Sequence, residues 1–172
     1  LAELGWQFKD EYNLDFLELT EEHKERELED GIVTNIIKFM GELGGQFSFV
    51  GRQFRLENPN GKEYFVDLLF YHRKLKSLIA VELKATEFKV EYGSKMSLYL
   101  NILDDTVKEE WENQSIGIII CQSKDRFDVE YTLNDLKKPI GVATYGYEEL
   151  PKTLAKYLPS NQDLEAALKT DD

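Results

Sequence analysis

The first strong hydrophobic pattern of the chain lies between Leu19 and Leu43. Its apolar positions recur three and four residues apart, at Leu28, Ile32, Ile36, Phe39 and Leu43. Thr20 precedes a run of glutamates, which suits the start of a helix because acids there interact favourably with the helix dipole. Two glycines follow Leu43 and suit its end. The pattern predicts one amphipathic helix over this segment.

Alternating apolar and polar residues predict three strands after this helix. The first covers 46–56 and is followed by a turn rich in Pro, Asn and Gly at 58–61. The second covers 63–72 and is apolar on both faces except at Asp67, which indicates a central strand. A short basic turn leads into the third strand at 78–84.

The second half of the chain alternates helices with short apolar strands. The pattern predicts a helix at 91–111, a buried strand at 116–121, a weaker helix at 129–136, a strand at 140–145 and a last helix at 149–158. The predicted order of elements is α, β, β, β, α, β, α, β, α. Helices that alternate with strands are typical of the α/β fold class.

These elements place a single domain at residues 19–160. Residues 1–18 are expected to form a separate arm, and residues 161–172 a frayed tail. Aromatic residues of the arm are expected to pack on the domain or on a second subunit, which would give a homodimer. These residues are Trp6, Phe8 and Phe16.

A chain of 172 residues with 42% hydrophobic positions is long enough for one domain with a sizeable core. The single cysteine, Cys121, excludes an internal disulfide, and its apolar surroundings favour a buried thiol in a reducing cytoplasm. No stretch approaches the roughly 18 consecutive apolar residues of a membrane span, so we expect no membrane partner. Because the sequence starts at Leu1 rather than Met, we expect a fragment that lacks an N-terminal domain of the full-length protein.

The net charge of −12 argues against a nucleic-acid partner, because phosphates repel carboxylates. The charge is unevenly distributed, however. Lys plus Arg against Asp plus Glu is 4 against 12 in residues 1–50, 9 against 6 in residues 51–99 and 8 against 15 in residues 100–172. The middle segment therefore carries +3 between flanks of −8 and −7. This basic segment permits DNA binding, because the local field steers a ligand.

Two carboxylates and one lysine interrupt strands that are otherwise apolar, at Asp67, Glu82 and Lys84. Buried charges must pair with one another, share a cation or line a cleft. Glu82 and Lys84 share a strand face, and a hairpin would bring Asp67 opposite them. Two carboxylates with open positions suit Mg²⁺, for which Mn²⁺ would substitute. A lysine beside the metal can orient water and offset charge during phosphodiester hydrolysis.

The spacing of an acid, any residue and a lysine is not specific by itself, because it occurs four times. The four copies begin at Glu22, Glu82, Glu87 and Asp135. Only the copy at Glu82 ends an apolar strand and has an isolated acid in the preceding strand. The structural alternative is a strand-end ion pair between Glu82 and Lys84, with Asp67 capping a backbone turn.

Two long runs of the sequence carry a family resemblance. They are FVGRQFRLENPNGKEYFVDLLFYHRKLKSLIAVELKATEFKVEYGSKMSLYLNILDD and, further on, NQSIGIIICQSKDRFDVEYTLNDLKKPIGVATY. Both closely resemble the C-terminal domain of the YhcG-type bacterial proteins in the PD-(D/E)XK nuclease superfamily. The likeness extends from about Phe8 to Pro159. It implies a restriction-endonuclease-like αβββαβ core with a mixed central sheet flanked by helices, an order that the hydrophobic pattern predicts independently.

The resemblance implies roles for the residues that match the family motif. Asp67 would be the metal-binding aspartate, Glu82 the acidic member of the (D/E)XK pair and Lys84 its lysine. Leu83 would offer its backbone carbonyl to the metal. Val66 departs from the pattern, because the superfamily's name has proline at this position, but that proline is loosely kept.

The superfamily often adds a glutamate from the first helix to the metal site. Glu29, just before the apolar stripe, is the closest match to this position. Glu25, one turn earlier on the same face, is the alternative, and the sequence leaves the choice between them open.

Five further residues are candidates for substrate binding. Arg52, Gln53 and Arg55 precede the Asp67 strand and would hold phosphates, although arginines on an edge strand are often simply solvated. Lys95 and Tyr99 lie one turn apart on the helix after the site, where family members often place a supporting polar group. Either could instead be structural, with Tyr99 in the core.

Two classes of function are consistent with these features. The first is an Mg²⁺-dependent DNA endonuclease that acts in DNA repair, recombination or defence. The second is a catalytically silent domain that binds nucleic acid or supports assembly of a longer protein. A pure protein-interaction module would explain the acidic flanks but not the buried carboxylates. The choice between DNA and RNA, and any preference for a DNA structure or sequence, stays open.

Overall fold

A six-stranded mixed sheet with helices on both faces organises residues 8–147, the part of the chain that the computed structural model describes. The elements in chain order are β1 (Glu11–Asn13), α1 (Glu25–Thr34), α2 (Ile36–Leu43), β2 (Phe47–Glu57), β3 (Glu63–His72), β4 (Ser77–Leu83), α3 (Val90–Thr106), β5 (Ile116–Cys121), α4 (Arg126–Asn134) and β6 (Ile140–Gly146). The strand order across the sheet is β1-β6-β5-β4-β3-β2. The predicted α/β fold is confirmed.

The sheet has an antiparallel half and a parallel half that meet at β4. Strands β2, β3 and β4 pair antiparallel, and β4, β5, β6 and β1 pair parallel. Strands β4 and β5 are buried along their whole length, as expected for strands covered on both faces. The five strands predicted from the sequence lie within two residues of their predicted ends.

Each face of the sheet has its own hydrophobic cluster. One cluster packs Leu28 and Ile32 of α1 and Phe39 of α2 against the sheet. The other packs Met96 and Leu100 of α3 against the opposite face, with part of α4. The core is therefore two layers that share the strands of the sheet.

Strand β1 is absent from the sequence prediction, which assigned its residues to a separate arm. It pairs parallel with β6, with Glu11 opposite Thr144. Tyr12 and Leu14 lie in the main cluster at 1% and 0% exposure, and Phe8 and Phe16 pack against that cluster from the same chain. Three residues are too few for a reliable period-2 signal, and the partner strand is distant in sequence.

The predicted helix over 19–43 is broken in the structure. Residues before Glu25 form turns, and Asn35 separates α1 from α2 with φ −111° and ψ 37°. The side-chain amide of Asn35 donates a hydrogen bond to the carbonyl of Gly31 at 2.9 Å. Asparagine competes for backbone hydrogen bonds in this way, which disfavours helix interiors.

Two later helices differ from prediction at their ends. Helix α4 begins three residues early because the side chain of Asp125 accepts hydrogen bonds from the N–H groups of Phe127 and Asp128. Helix α3 ends at Thr106, before the predicted end at 111. The predicted helix at 149–158, the tail at 161–172 and Trp6 lie outside the described residues.

Cys121 is fully buried, as the sequence predicts. Burial raises the pKa of its thiol to about 12, which removes thiolate chemistry at neutral pH. In the range 8–147, no helix has the length and apolar character to cross a membrane.

The packing of β1 generates a stability prediction. Leu14 is 0% exposed, so Leu14→Ala should lower the free energy of unfolding by about 2–5 kcal/mol, measured by urea denaturation. Ile37 on α2 is 84% exposed, and the matched control Ile37→Ala should change it by about 0.5 kcal/mol or less. Equal effects of the two substitutions would show that residues 8–18 contribute nothing to the stability of the domain.

Candidate active site

Strands β3 and β4 stop pairing regularly at the position of the two candidate acids. The last regular pair is Leu68 with Val81, and continuing this register places Asp67 opposite Glu82. At this position, carboxylate side chains accept hydrogen bonds from backbone N–H groups in place of backbone carbonyls. The N–H of Asp67 donates to Glu82 Oε1 at 3.1 Å, and the N–H of Leu83 donates to Asp67 Oδ2 at 2.8 Å. Each carboxylate is thus held by the backbone of the other strand.

The carbonyl of Leu83 points towards the same gap. In a strand, the N–H and C=O of one residue face the same neighbouring strand. The N–H of Leu83 faces β3, because it reaches Asp67, while the next N–H, of Lys84, donates to Ile120 on β5 at 2.9 Å. The Leu83 carbonyl therefore faces Asp67.

Glu82 is the most strongly perturbed acid of the site. It is 7% exposed, and burial followed by the charge of Asp67 raises its pKa to about 8. The Asp67 N–H and the nearby Lys84 oppose this shift. Without a cation, Glu82 therefore holds a proton at neutral pH, and a bound cation would favour its charged form.

Lys84 follows directly after β4 and turns its side chain towards helix α3. Its Nζ lies 4.7 Å from the centre of the Tyr92 ring, a cation–π distance. None of the ion pairs of residues 8–147 joins Lys84 to Glu82, so the strand-end pair considered as the structural alternative does not form. Tyr92 lies in the first turn of α3 and was not found from the sequence, because no pattern there marks it as a site residue.

Helix α1 brings a third carboxylate to the other side of Asp67. Glu29 is 7% exposed, and its Oε2 accepts a hydrogen bond from Arg52 Nη2 at 2.5 Å. Gln53 Nε2 donates to Glu29 Oε1 at 2.5 Å and to Asp67 Oδ1 at 3.2 Å. Arg52 also binds Asp30 at 2.8 Å, and these hydrogen bonds raise the pKa of its guanidinium.

Asp67 and the residues bonded around Glu29 line a cleft of about 720 Å³, whereas Glu82, Leu83 and Lys84 are not among its lining residues. Its lining residues are Glu25, Arg26, Glu29, Asp30, Arg52, Gln53 and Asp67. Both candidate helix acids therefore face the cleft, but Glu25 is exposed, whereas Glu29 is buried and bonded. A larger hollow of about 920 Å³ between α4 and β6 contains none of the candidate acids, so size alone does not locate the site.

The other sequence candidates lie outside this cleft lining. Arg55 pairs with Glu57 at 3.1 Å and Glu63 at 2.8 Å on the exposed side of the β2–β3 hairpin. Tyr99 is 3% exposed in the α3 cluster, and burial, with the charge of Glu82, raises its pKa to about 12. Lys95 Nζ lies 5.8 Å from the centre of the Tyr99 ring.

The donor set suits a hard divalent cation. Asp67 and Glu82 offer carboxylate oxygens, and the Leu83 carbonyl faces the same gap. Among residues 8–147, no three His, Cys, Asp or Glu side chains group closely enough to hold a metal ion by themselves. Magnesium fits such an incomplete set, because it binds one or two carboxylates and keeps several waters.

Comparison with known proteins identifies the family. The model of the YhcG PDDEXK nuclease domain matches residues 6–161. The Escherichia coli (strain K12) protein named "Putative nuclease YhcG" is 37% identical over 141 residues, which is 80% of this chain and 36% of that protein. The chain thus spans about a third of the length of this relative.

A solved structure shares the fold. The crystal structure of a repair endonuclease from Pyrococcus abyssi matches with a TM-score of 0.51 at 18% identity, over 76% of this chain and 49% of that chain. The restriction-endonuclease-like core implied by the resemblance is confirmed. From the family model and the E. coli relative together, the chain belongs to the YhcG PDDEXK nuclease domain family.

Proposed function

We propose that this domain is an Mg²⁺-dependent endonuclease that hydrolyses phosphodiester bonds of DNA. The observation that carries the proposal is a pair of hydrogen bonds where β3 and β4 stop pairing. The N–H of Asp67 donates to Glu82, and the N–H of Leu83 donates to Asp67. Lys84 follows directly in the chain. A buried carboxylate without a cation is costly, and at Glu82 that cost appears as the raised pKa. Membership of a nuclease family supports the same reading.

Asp67, Glu82 and the Leu83 carbonyl would hold the magnesium ion, with Mn²⁺ as a substitute and Glu29 as a further acid on the cleft side. When bound, the ion supplies Lewis-acid activation of the phosphate and a more acidic water. The hydrogen bonds from the Asp67 and Leu83 N–H groups fix the two carboxylates before a ligand arrives.

Lys84 would orient the attacking water or offset the charge that develops on the phosphate. Its ammonium lies against the face of the Tyr92 ring. It is also close enough to Glu82 to reduce part of the rise in the pKa of that carboxyl. The ring limits where the flexible lysine side chain can lie. The contact with Tyr92 thereby keeps the ammonium near the end of β4.

Substrate would enter along the basic middle segment of the chain. Arg52, Gln53, Arg55, Lys95 and Tyr99 are proposed contacts. Arg52 and Arg55 already bind carboxylates, so a phosphate would have to replace Glu29 or Asp30 at one and Glu57 or Glu63 at the other. Exchange of these carboxylates for phosphate, and back again, would allow the product to be released.

The cellular setting is part of the same proposal. We propose action in DNA repair, recombination or defence, in the cytoplasm, within a longer protein that has an N-terminal domain. The E. coli relative, of which this chain covers 36%, supports the existence of further sequence. A homodimer through the N-terminal arm remains a proposal that light scattering tests directly.

The second candidate function, a catalytically silent nucleic-acid-binding domain, has one observation in its favour. Glu29, Arg52 and Gln53 satisfy one another without any ligand, as in a structural network. Cleavage of DNA by the wild-type domain, and its loss on one substitution, distinguish the two functions.

Lys84→Ala should reduce cleavage of DNA in Mg²⁺ by a factor of about 10² or more, because a positioned charge-stabilising group is lost. Divalent-cation affinity should stay within about twofold of wild type, because Lys84 is not a ligand. Lys89→Ala is the matched control, since Glu87 and Lys89 repeat the spacing at an exposed position. Cleavage by Lys84→Ala within threefold of wild type would show that Glu82 and Lys84 are only a structural pair. Absence of cleavage by the wild-type domain itself would favour the silent alternative.

Asp67→Asn should abolish Mn²⁺ binding measured by calorimetry. The amide has one oxygen ligand fewer and no charge, yet it can still accept the hydrogen bond from Leu83. Unfolding should therefore remain cooperative. Wild-type Mn²⁺ affinity in this variant would show that the metal site lies elsewhere.

Without divalent cations, the contribution of Glu82 to the stability of the domain should fall as pH rises from about 5 to about 8. It is measured as the difference between wild type and Glu82→Gln, because burial lowers the pKa of His72 and gives an opposite trend in part of this range. The folded state keeps a proton on Glu82, with a pKa of about 8, whereas the unfolded state has already lost it. The contribution to the slope approaches about 1.4 kcal/mol per pH unit. Saturating Mg²⁺ should flatten this slope by stabilising the charged form, and Glu82→Gln should remove it. An unchanged slope in Glu82→Gln would assign the titration to another group.

A further inference from the structure

Gln53 has a left-handed backbone conformation in the middle of strand β2, with φ of 45°. Its neighbours Arg52 and Phe54 pair with Leu68 and Val66, so the register continues across a break at Gln53. The same register places Gln53 opposite Asp67. The β2–β3 ladder therefore breaks beside the candidate metal aspartate.

This conformation is unusual for glutamine in a strand. The other non-glycine residue with positive φ in residues 8–147 is Lys76, at 52° in the turn before β4, where such geometry is ordinary. Left-handed non-glycine residues cost energy and persist where the surrounding structure requires them. The strained backbone at Gln53 therefore suggests that the position of its side chain matters.

The side chain of Gln53 connects two acids from different elements. Its Nε2 carries two N–H groups and lies 2.5 Å from Glu29 Oε1 on α1 and 3.2 Å from Asp67 Oδ1 on β3. The remaining oxygens, Glu29 Oε2 and Asp67 Oδ2, accept from Arg52 and the Leu83 N–H. All four oxygens have a donor, and Gln53 supplies two of the four bonds.

We propose that Gln53 is a positioning residue that holds Glu29 and Asp67 at a fixed separation, so that the helix acid joins the metal site. The proposal rests on the proposed nuclease function. Two carboxylates this close repel each other unless a donor lies between them. A neutral amide supplies that donor without placing a positive charge where a cation must bind.

Two substitutions distinguish the effect of the side-chain amide from the effect of the strained backbone. Gln53→Ala and Gln53→Gly both remove the carboxamide, but only glycine adopts the left-handed conformation without strain. Both variants should lower kcat for DNA cleavage in Mg²⁺ by a similar factor of about 10 to 100. The glycine variant should nevertheless have the higher melting temperature of the two.

Lys76→Gly is the matched control for backbone strain. It removes the other left-handed side chain of the described chain, remote from the carboxylates, and should leave kcat and Mn²⁺ affinity unchanged. Wild-type kcat in Gln53→Gly alone would show that backbone shape matters and the amide does not. Wild-type kcat in both Gln53 variants would remove any role for the residue. Either result overturns the proposal.

A second measurement does not depend on cleavage. Loss of a group that orients metal ligands typically weakens metal binding 10- to 100-fold, so Gln53→Ala should weaken Mn²⁺ binding by about tenfold or more in calorimetry. On a Glu29→Ala background, Gln53→Ala should weaken it by clearly less, because one of its two partners is gone. Full additivity would contradict the proposed link.

The two proposals fail in different ways. If wild type binds Mn²⁺ but cleaves no DNA, the proposed nuclease function fails, while the coupling of Gln53 to Glu29 in Mn²⁺ affinity still supports positioning. If wild type cleaves DNA and Gln53→Ala matches it in both kcat and Mn²⁺ affinity, the nuclease function stands and the positioning role is overturned.

Discussion

The separation of β3 from β4 is the constraint on which the rest of the site depends. Where the backbone ladder ends, two N–H groups would be left without strand partners, and the carboxylates of Asp67 and Glu82 accept them instead. The same hydrogen bonds that satisfy the backbone also hold the two carboxylates. Local fold stability and the geometry of the candidate metal site therefore depend on the same contacts.

The acids of the candidate site come from both faces of the sheet. Ala80 packs in the α3 cluster, so strand alternation directs Glu82 to that face. There burial, and after it the charge of Glu82, raises the pKa of Tyr99. Glu29 comes from α1 on the opposite face, and Gln53 joins it to Asp67. Within the described chain these acids do not form a closed three-acid group.

Much of this fold could be predicted from the sequence, because strands buried on both faces give near-continuous apolar runs. Charges inside such runs singled out Asp67 and Glu82, and the structure places them side by side. The features that could not be predicted depend on contacts between distant parts of the chain or on the conformation of single residues. Strand β1 needs its distant partner β6, the helix break at Asn35 needs a side-chain competitor, and the left-handed turn at Gln53 has no signal in residue type.

The most direct test of this account is a crystal structure of the domain grown with Mn²⁺, with the ion located by its anomalous scattering. The account predicts one ion in the gap between β3 and β4, bonded to an oxygen of Asp67 and to an oxygen of Glu82, with the Leu83 carbonyl beside it. An ion bound elsewhere, with both carboxylates still holding only the N–H groups of the opposite strand, would contradict it.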